Sequence, residues 1–308
     1  MIELHCHLDG SLSVEDVLTL SEMTGAPLPT KEKDVLFSYL TYSGVGTLND
    51  YLEKFHLPVS LLQSGESIAF ALRSLSERLF ACGCSYAEIR FAPALHLLGG
   101  ATMREIVQGA VKGLSETKIP LGLLLCAMRG HAEKENISVM ELAAEWRGKG
   151  VVGVDLAGAE ALYPTEGYKE VFSLASRFGL NVTVHAGEAA GADSVRAALD
   201  FGAKRIGHGV SAVKDEELLQ RIKREGIVLE VCPTSNVQTS AVSSIERHPV
   251  ARFLDEGLRI AICSDNMTVS NTDVKKECEK LRAAFPSRLE KIERAIFDAE
   301  SYAFDRKV

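Results

Sequence analysis

Three observations in the sequence predict a (β/α)8 barrel. Eight short apolar runs alternate with amphipathic helical stretches along the 308 residues. Most of the runs are near-continuous Val, Ile, Leu and Ala, as expected for parallel strands buried on both faces. Gly179, Gly202, Gly226 and Gly257 stand just past four of the helical stretches, where a left-handed C-cap is needed. Length alone allows two domains, but one α/β barrel accommodates this many residues, so 1–308 is read as a single barrel domain. The competing arrangement is an open doubly wound sheet.

The strands are expected over 2–7, 86–91, 121–128, 151–156, 180–185, 204–207, 227–232 and 258–263. The first helix opens with a capping-box pattern, Ser13 followed by Asp16, ahead of Val17, Leu18 and Leu20. Further helices are expected over 103–118, 138–147, 166–178, 192–201, 215–225 and 249–256. The longest break in the rhythm, 30–66, follows the first helix, on the side of the barrel where active sites are built. Within it Leu48, Tyr51, Leu52 and Phe55 fall at i, i+3, i+4 and i+7, one stripe of a helix. The tail, 273–308, reads as two charged helices broken at Pro286 that pack on the outside.

Composition narrows the function. Hydrophobic residues make up 46% and charged residues 25%, which excludes a disordered or fibrous chain. Acidic side chains outnumber basic ones, 42 to 34, for a net charge of −8. That balance offers no footprint for nucleic acid or an anionic membrane. No apolar stretch is long enough to span a bilayer. Seven scattered cysteines fit reduced thiols better than a disulfide framework. The opening Met1-Ile2-Glu3-Leu4-His5 lacks the basic start and apolar run of a signal peptide, and a cytoplasmic location is expected.

The chemistry gathers at strand ends. His5 and His7 close the first strand and, two residues apart, point to the same face. His185, His208 and Asp265 close the fifth, sixth and eighth. Any one of these reads equally well as a satisfied histidine or a helix-capping aspartate. Barrel closure, however, brings them all to one mouth. Three His and one Asp form a nitrogen and oxygen donor set suited to zinc, which lowers the pKa of a water toward neutrality. Iron or cobalt fit the same donors. Glu188, three residues past His185, stands where a general acid/base belongs, or where a carboxylate would cap the next helix.

Together these residues resemble the adenosine deaminase family of metal-dependent amidohydrolases. The matching segments are Glu3-Leu-His-Cys-His-Leu-Asp-Gly-Ser11, Asp155-Leu-Ala-Gly-Ala-Glu160, His185-Ala-Gly-Glu188, Arg205-Ile-Gly-His-Gly209, Cys232-Pro-Thr-Ser-Asn236 and Ser264-Asp265. Each is short, but they occur in the family's order and span nearly the whole chain. The resemblance implies one zinc ion held by His5, His7, His185 and Asp265. It implies that Glu188 protonates the purine at N1, and that His208 orients and helps deprotonate the attacking water. It also implies that the backbone of Gly158 meets N3, that Asp9 accepts from the ribose 5′-hydroxyl, and that the Leu48–Phe55 stripe is a lid over the substrate. Relatives acting on free adenine tend to carry Glu in the motif that holds Asp9 here, and Asp9 also suits an Asx turn before Gly10. The stripe has an equally simple reading as a face that docks its helix on the barrel.

One departure stands out. Many members carry Asp-Asp-Pro where this chain has Asp265-Asn266-Met267. The second Asp must be protonated to donate to purine N7, whereas the Asn266 amide donates without a proton. The expected activity is zinc-dependent hydrolytic deamination of adenosine, and of deoxyadenosine, to inosine. The alternatives are adenine, a modified or 5′-substituted adenosine, and a silent homologue that only binds a nucleoside. The expected partner is a small purine nucleoside, with monomer and homo-oligomer both open. None of the cysteines is needed as a metal ligand.

Overall fold

The computed structural model describes residues 1–304. Its eight strands are β1 (Ile2–His7), β2 (Tyr86–Phe91), β3 (Leu121–Met128), β4 (Val151–Ala157), β5 (Thr183–Ala186), β6 (Arg205–His208), β7 (Val228–Val231) and β8 (Arg259–Ile262). They pair in parallel and in chain order, β1 to β4 and β5 to β8. Two seams close the ring. At one, Val154 N–H donates to Asn181 O (2.9 Å) and the Asn181 amide donates to Val152 O (2.9 Å). At the other, Asp265 N–H donates to His5 O and His7 N–H to Asp265 O, both 2.8 Å. Closure at both seams excludes the open sheet. β5, β7 and β8 are shorter than their apolar runs, and before Thr183 the seam at Asn181 stands in for regular pairing of β5.

The helices follow the expected order with shifted ends. The capping box at Ser13 and Asp16 forms and opens α1 (Val14–Thr24). Gly179, Gly202, Gly226 and Gly257 all adopt positive φ, as C-caps require. The insertion is a string of short helices, α2 (Lys33–Leu40), α3 (Leu48–Leu52) and α4 (His56–Leu61), with a 3-10 turn over Glu53–Phe55. It is followed by α5 (Gly65–Ala81), a long amphipathic helix that buries Ile68, Leu72, Leu75 and Leu79. Sequence reading passed over α5, because the break in rhythm runs into its start. It packs against α6 (Met103–Gly113) backbone to backbone, and a Cβ on Gly109 would stand 2.2 Å from Gly65 Cα. The helix expected from Ser138 starts earlier, as α7 (Glu133–Trp146). Ser138 does not cap it; its hydroxyl bonds back to Lys134 O (3.1 Å) inside the helix. Next come α8 (Lys169–Arg177), preceded by a 3-10 turn, α9 (Ala192–Asp200), α10 (Glu216–Glu225), α11 (Pro233–Gln238) and α12 (Val250–Glu256).

The tail forms two helices, α13 (Val274–Ala284) and α14 (Leu289–Asp298), separated at Pro286 as expected. Its end does not stay outside. Phe304 enters the floor of the barrel, where its N–H donates to Glu88 Oε1 (2.6 Å) and its ring lies 3.7 Å from the Arg205 guanidinium. Residues 305–308 of the expected tail lie outside the described residues. No described helix is long and apolar enough to cross a membrane. Replacing Phe304 by alanine removes both its packing and its stacking on Arg205, and should cost about 3 kcal/mol in urea unfolding. A loss under about 1 kcal/mol would show that the tail closes nothing.

Candidate active site

His5 and His7 alternate in β1 with Cys6, whose thiol turns away toward Ser11 Oγ (3.4 Å). Closure sets the two imidazoles beside His185, at the end of β5, and Asp265, just past β8. One donor atom from each of the four lies within 4.8 Å of the others. His7 Nε2 and His185 Nε2 face each other at 3.0 Å. His5 Nε2 and His7 Nε2 each stand 3.5 Å from Asp265 Oδ1, too long for a good hydrogen bond. Three imidazole nitrogens and a carboxylate turned toward one point, with only the His7–His185 pair at hydrogen-bonding distance, fit a tetrahedral cation. A second group, His208, Cys232 and Asp265, is also close. Burial pushes the Cys232 thiol well above its usual range, which disfavours the thiolate that a metal needs.

Below the donors lies a charged layer. Glu230 Oε2 accepts from His5 Nδ1 (2.7 Å) and Asp155 Oδ2 stands 2.9 Å from His185 Nδ1. Arg90 Nη1 reaches the same Asp155 oxygen (2.7 Å), and Arg90 Nη2 reaches the same Glu230 oxygen (2.9 Å). Arg205 Nε pairs with the other oxygen of Glu230 (2.7 Å). All of these side chains are inaccessible or nearly so. Burial alone would raise both carboxylates. His185 and Arg90 outweigh it at Asp155, and Arg90 and Arg205 outweigh it at Glu230, holding each far below the usual carboxylate range. Each carboxylate thus keeps one imidazole with Nδ1 facing down and Nε2 facing the donor point.

Above the donors opens a cavity of about 400 Å³. His7, Asp9, Gly158, Glu188 and His208 reach its wall, as do Asp265 and Asn266. His5 lies beneath it. The roof carries Leu48, Tyr51, Leu52 and Phe55. Leu48, Leu52 and Phe55 are half-buried, while Tyr51 is buried and its hydroxyl meets Ser270 Oγ (2.7 Å). The stripe therefore both docks on the barrel and covers the cavity.

Glu188 is buried on the loop after β5. Desolvation, with the nearby Asp265 charge, pushes it up to about 8, so it keeps a proton at neutral pH. Thr239 Oγ1 stands 2.9 Å from its Oε1, and His208 Nε2 lies 3.5 Å from its Oε2. Its loop is tied down by Glu160, whose carboxylate accepts from the N–H groups of Gly187 (2.6 Å), Glu188 (3.0 Å), Ala189 (2.7 Å) and Ala190 (3.1 Å). Burial raises Asp9 to about 6, and Asp9 Oδ1 accepts from the adjacent Gly10 N–H (3.1 Å); Ser11 N–H, two residues on, goes instead to Leu8 O (3.2 Å), so no Asx turn forms. Asn266 directs one amide hydrogen at Asp265 Oδ1 (2.7 Å), leaving the other for a ligand. His208 and Asp265 both hold left-handed backbone, at φ 65° and 62°. Such strain costs about 1–3 kcal/mol each and marks sites where side-chain direction matters more than local comfort.

Every candidate catalytic, binding or metal-ligating residue named from the sequence converges here. What sequence reading missed is the support: Arg90, Glu230, Thr239 and His248, and the tethering task of Glu160. The available signal was an isolated charge inside an apolar strand, as with Arg90 in β2 and Glu230 in β7. Glu230→Gln should weaken zinc binding about 10–100-fold in competition with a chelator, since its one amide oxygen cannot accept from His5 and Arg90 on one side and from Arg205 on the other. Unchanged affinity would show that His5 is oriented by something else.

The family model described as adenosine deaminase matches residues 1–305. An adenosine deaminase of Clostridium kluyveri is 39% identical over 311 aligned residues, which cover 99% of this chain and 89% of that protein. In structure, the chain resembles an adenine deaminase from Arthrobacter aurescens, with a TM-score of 0.91 and 25% identity over 99% of this chain and 94% of that one. It also resembles an N6-methyl-AMP deaminase from Arabidopsis thaliana, with a TM-score of 0.85 and 25% identity over 99% of this chain and 92% of that one. With a closed barrel, a His and Asp donor group at its mouth and a match along almost its full length, the chain belongs to the adenosine deaminase family.

Proposed function

We propose that this chain is a zinc-dependent enzyme that converts adenosine, and deoxyadenosine, to inosine and ammonia. The observation that carries this reading is a protonated, buried Glu188 beside His208 in a largely apolar cavity directly above the His5, His7, His185 and Asp265 donors. Those four residues hold one zinc ion. When bound, zinc supplies the Lewis acidity that makes a water nucleophilic near neutral pH.

The protein's own residues do the rest. Glu188 gives its proton to N1, which drains electron density from C6 and opens it to attack. His208 orients the attacking water through Nε2. Of the two protons on that water, one replaces the proton that Glu188 gave to N1, and the other leaves with ammonia. Gly158, at φ 104°, turns its backbone toward the ring edge at N3, and the free amide hydrogen of Asn266 faces N7. Leu48, Leu52 and Phe55 cover the base and exclude bulk water. The barrel acts as one catalytic unit, and a cytoplasmic location fits its reduced thiols.

Asp9 favours a nucleoside over a nucleotide. Its carboxyl can share a hydrogen bond with a ribose 5′-hydroxyl, whereas a 5′-phosphate would bring a dianion against it. The adenine deaminase fold match keeps free adenine as the second reading. A panel of adenosine, deoxyadenosine, adenine and AMP, followed by ammonia release, separates these, with adenosine expected to turn over fastest by kcat/KM. Turnover of adenine alone would overturn the assignment of Asp9. Glu188→Gln should lower kcat about 10²–10⁴-fold with zinc content unchanged. Activity depends on the protonated form of Glu188, so the rate should fall as pH rises through its pKa. A bound cation lowers that pKa, so the basic limb should lie at or below about pH 8.

A further inference from the structure

The motif Cys232-Pro-Thr-Ser-Asn236 has no part in the scheme above, and His248 lies beyond the cavity wall. Both are buried. A chain of hydrogen bonds joins them to the catalytic pair, and its direction is fixed at the far end. Val250 opens α12, so its N–H has no acceptor within the helix. It donates to His248 Nδ1 at 3.0 Å. A backbone N–H can only donate, so Nδ1 carries the lone pair. Burial drives His248 down to about 3, and the neutral ring must hold its proton on Nε2. That Nε2 meets Asn236 Oδ1 at 3.2 Å. The contact fixes the Asn236 amide with its oxygen toward His248 and its nitrogen toward the cavity.

Asn236 Nδ2 stands 3.0 Å from His208 Nδ1. An amide N–H there requires a lone pair on Nδ1, so His208 carries its proton on Nε2. The second hydrogen of the same amide points at Glu188 Oε1, 3.4 Å away; Thr239 Oγ1 stands 2.9 Å from that oxygen and 3.0 Å from Ser235 O, and its single proton serves one of the two. The other carboxyl oxygen, Glu188 Oε2, is the one that approaches His208, 3.5 Å from its Nε2. The His208 proton and Glu188 Oε2 face the same gap.

The geometry points to Asn236, held by His248, as the positioning residue that sets which nitrogen of His208 carries its proton and that aims its second amide hydrogen at Glu188. In this tautomer His208 Nε2 donates to an approaching oxygen; the water deprotonation implied for His208 by the family resemblance would need the other tautomer. Neither Asn236 nor His248 need touch the substrate. The proposal rests on the deaminase reading only for its kinetic effect, because the tautomer is read on the protein without substrate.

The test is long-range 1H–15N correlation NMR of the zinc-loaded, histidine-labelled protein, with the His208 signal identified by its loss in His208→Gln. The parent should show the Nε2–H tautomer of His208. Asn236→Asp keeps the shape but offers only acceptors, so His208 should switch to Nδ1–H. His248→Phe frees the Asn236 amide to turn over, and should mix the two tautomers and lower kcat about 10–100-fold, with KM and zinc content within about twofold. His248→Gln offers one acceptor and one donor, and should restore both the single tautomer and most of kcat. If His248→Phe does not fold, the other two variants decide. An Nδ1–H tautomer in the parent, an unchanged tautomer in Asn236→Asp, or loss of kcat in His248→Gln equal to that of His248→Phe would each overturn the proposal.

Discussion

Arg90 is the hinge of this structure. It comes from β2, is inaccessible to solvent, and carries a full charge in the middle of the barrel. An isolated buried guanidinium is untenable, and it persists here only because Asp155 and Glu230 meet it from opposite sides of the ring. The same two carboxylate oxygens hold His185 and His5. One side chain therefore links the charge balance of the interior to the direction in which the donor nitrogens point. The ionised carboxylates at Asp155, Glu230 and Asp265 outnumber the two guanidinium groups beneath them, Arg90 and Arg205. That excess of negative charge lies just where a cation is to be held.

Around this centre the barrel solves two opposed demands. The donors must be fixed, and they are, by strands and a buried ionic floor that Phe304 closes from below. The carboxyl proposed as the acid must hold its proton, and burial favours that at Glu188, on a loop that Glu160 ties through four backbone N–H groups. The left-handed backbone at His208 and Asp265 shows where the fold gives up local stability to aim a side chain.

Much of this was legible in the sequence. Strand runs, capping signals and the clustering of His and Asp at strand ends all depend on local spacing, so they survive without coordinates. The supporting network does not. Arg90 lies 65 residues from Asp155 and 140 from Glu230, and no spacing rule relates them. His248 was invisible for the same reason, since its role follows from an orphan N–H two residues on and an amide twelve residues back. Helix α5 went unseen because it begins inside a stretch read as insertion. The end of the tail was misjudged because its charged helices are outside, while the one aromatic that matters comes after them.

The central claim is that a buried carboxylate floor presents three imidazole nitrogens and one carboxylate to a single zinc ion. X-ray absorption at the zinc edge, on protein loaded with one equivalent, tests it most directly. Nitrogen and oxygen neighbours at about 2.0–2.2 Å and no sulfur are expected. A zinc–sulfur distance near 2.3 Å would place the metal on Cys232 and contradict it.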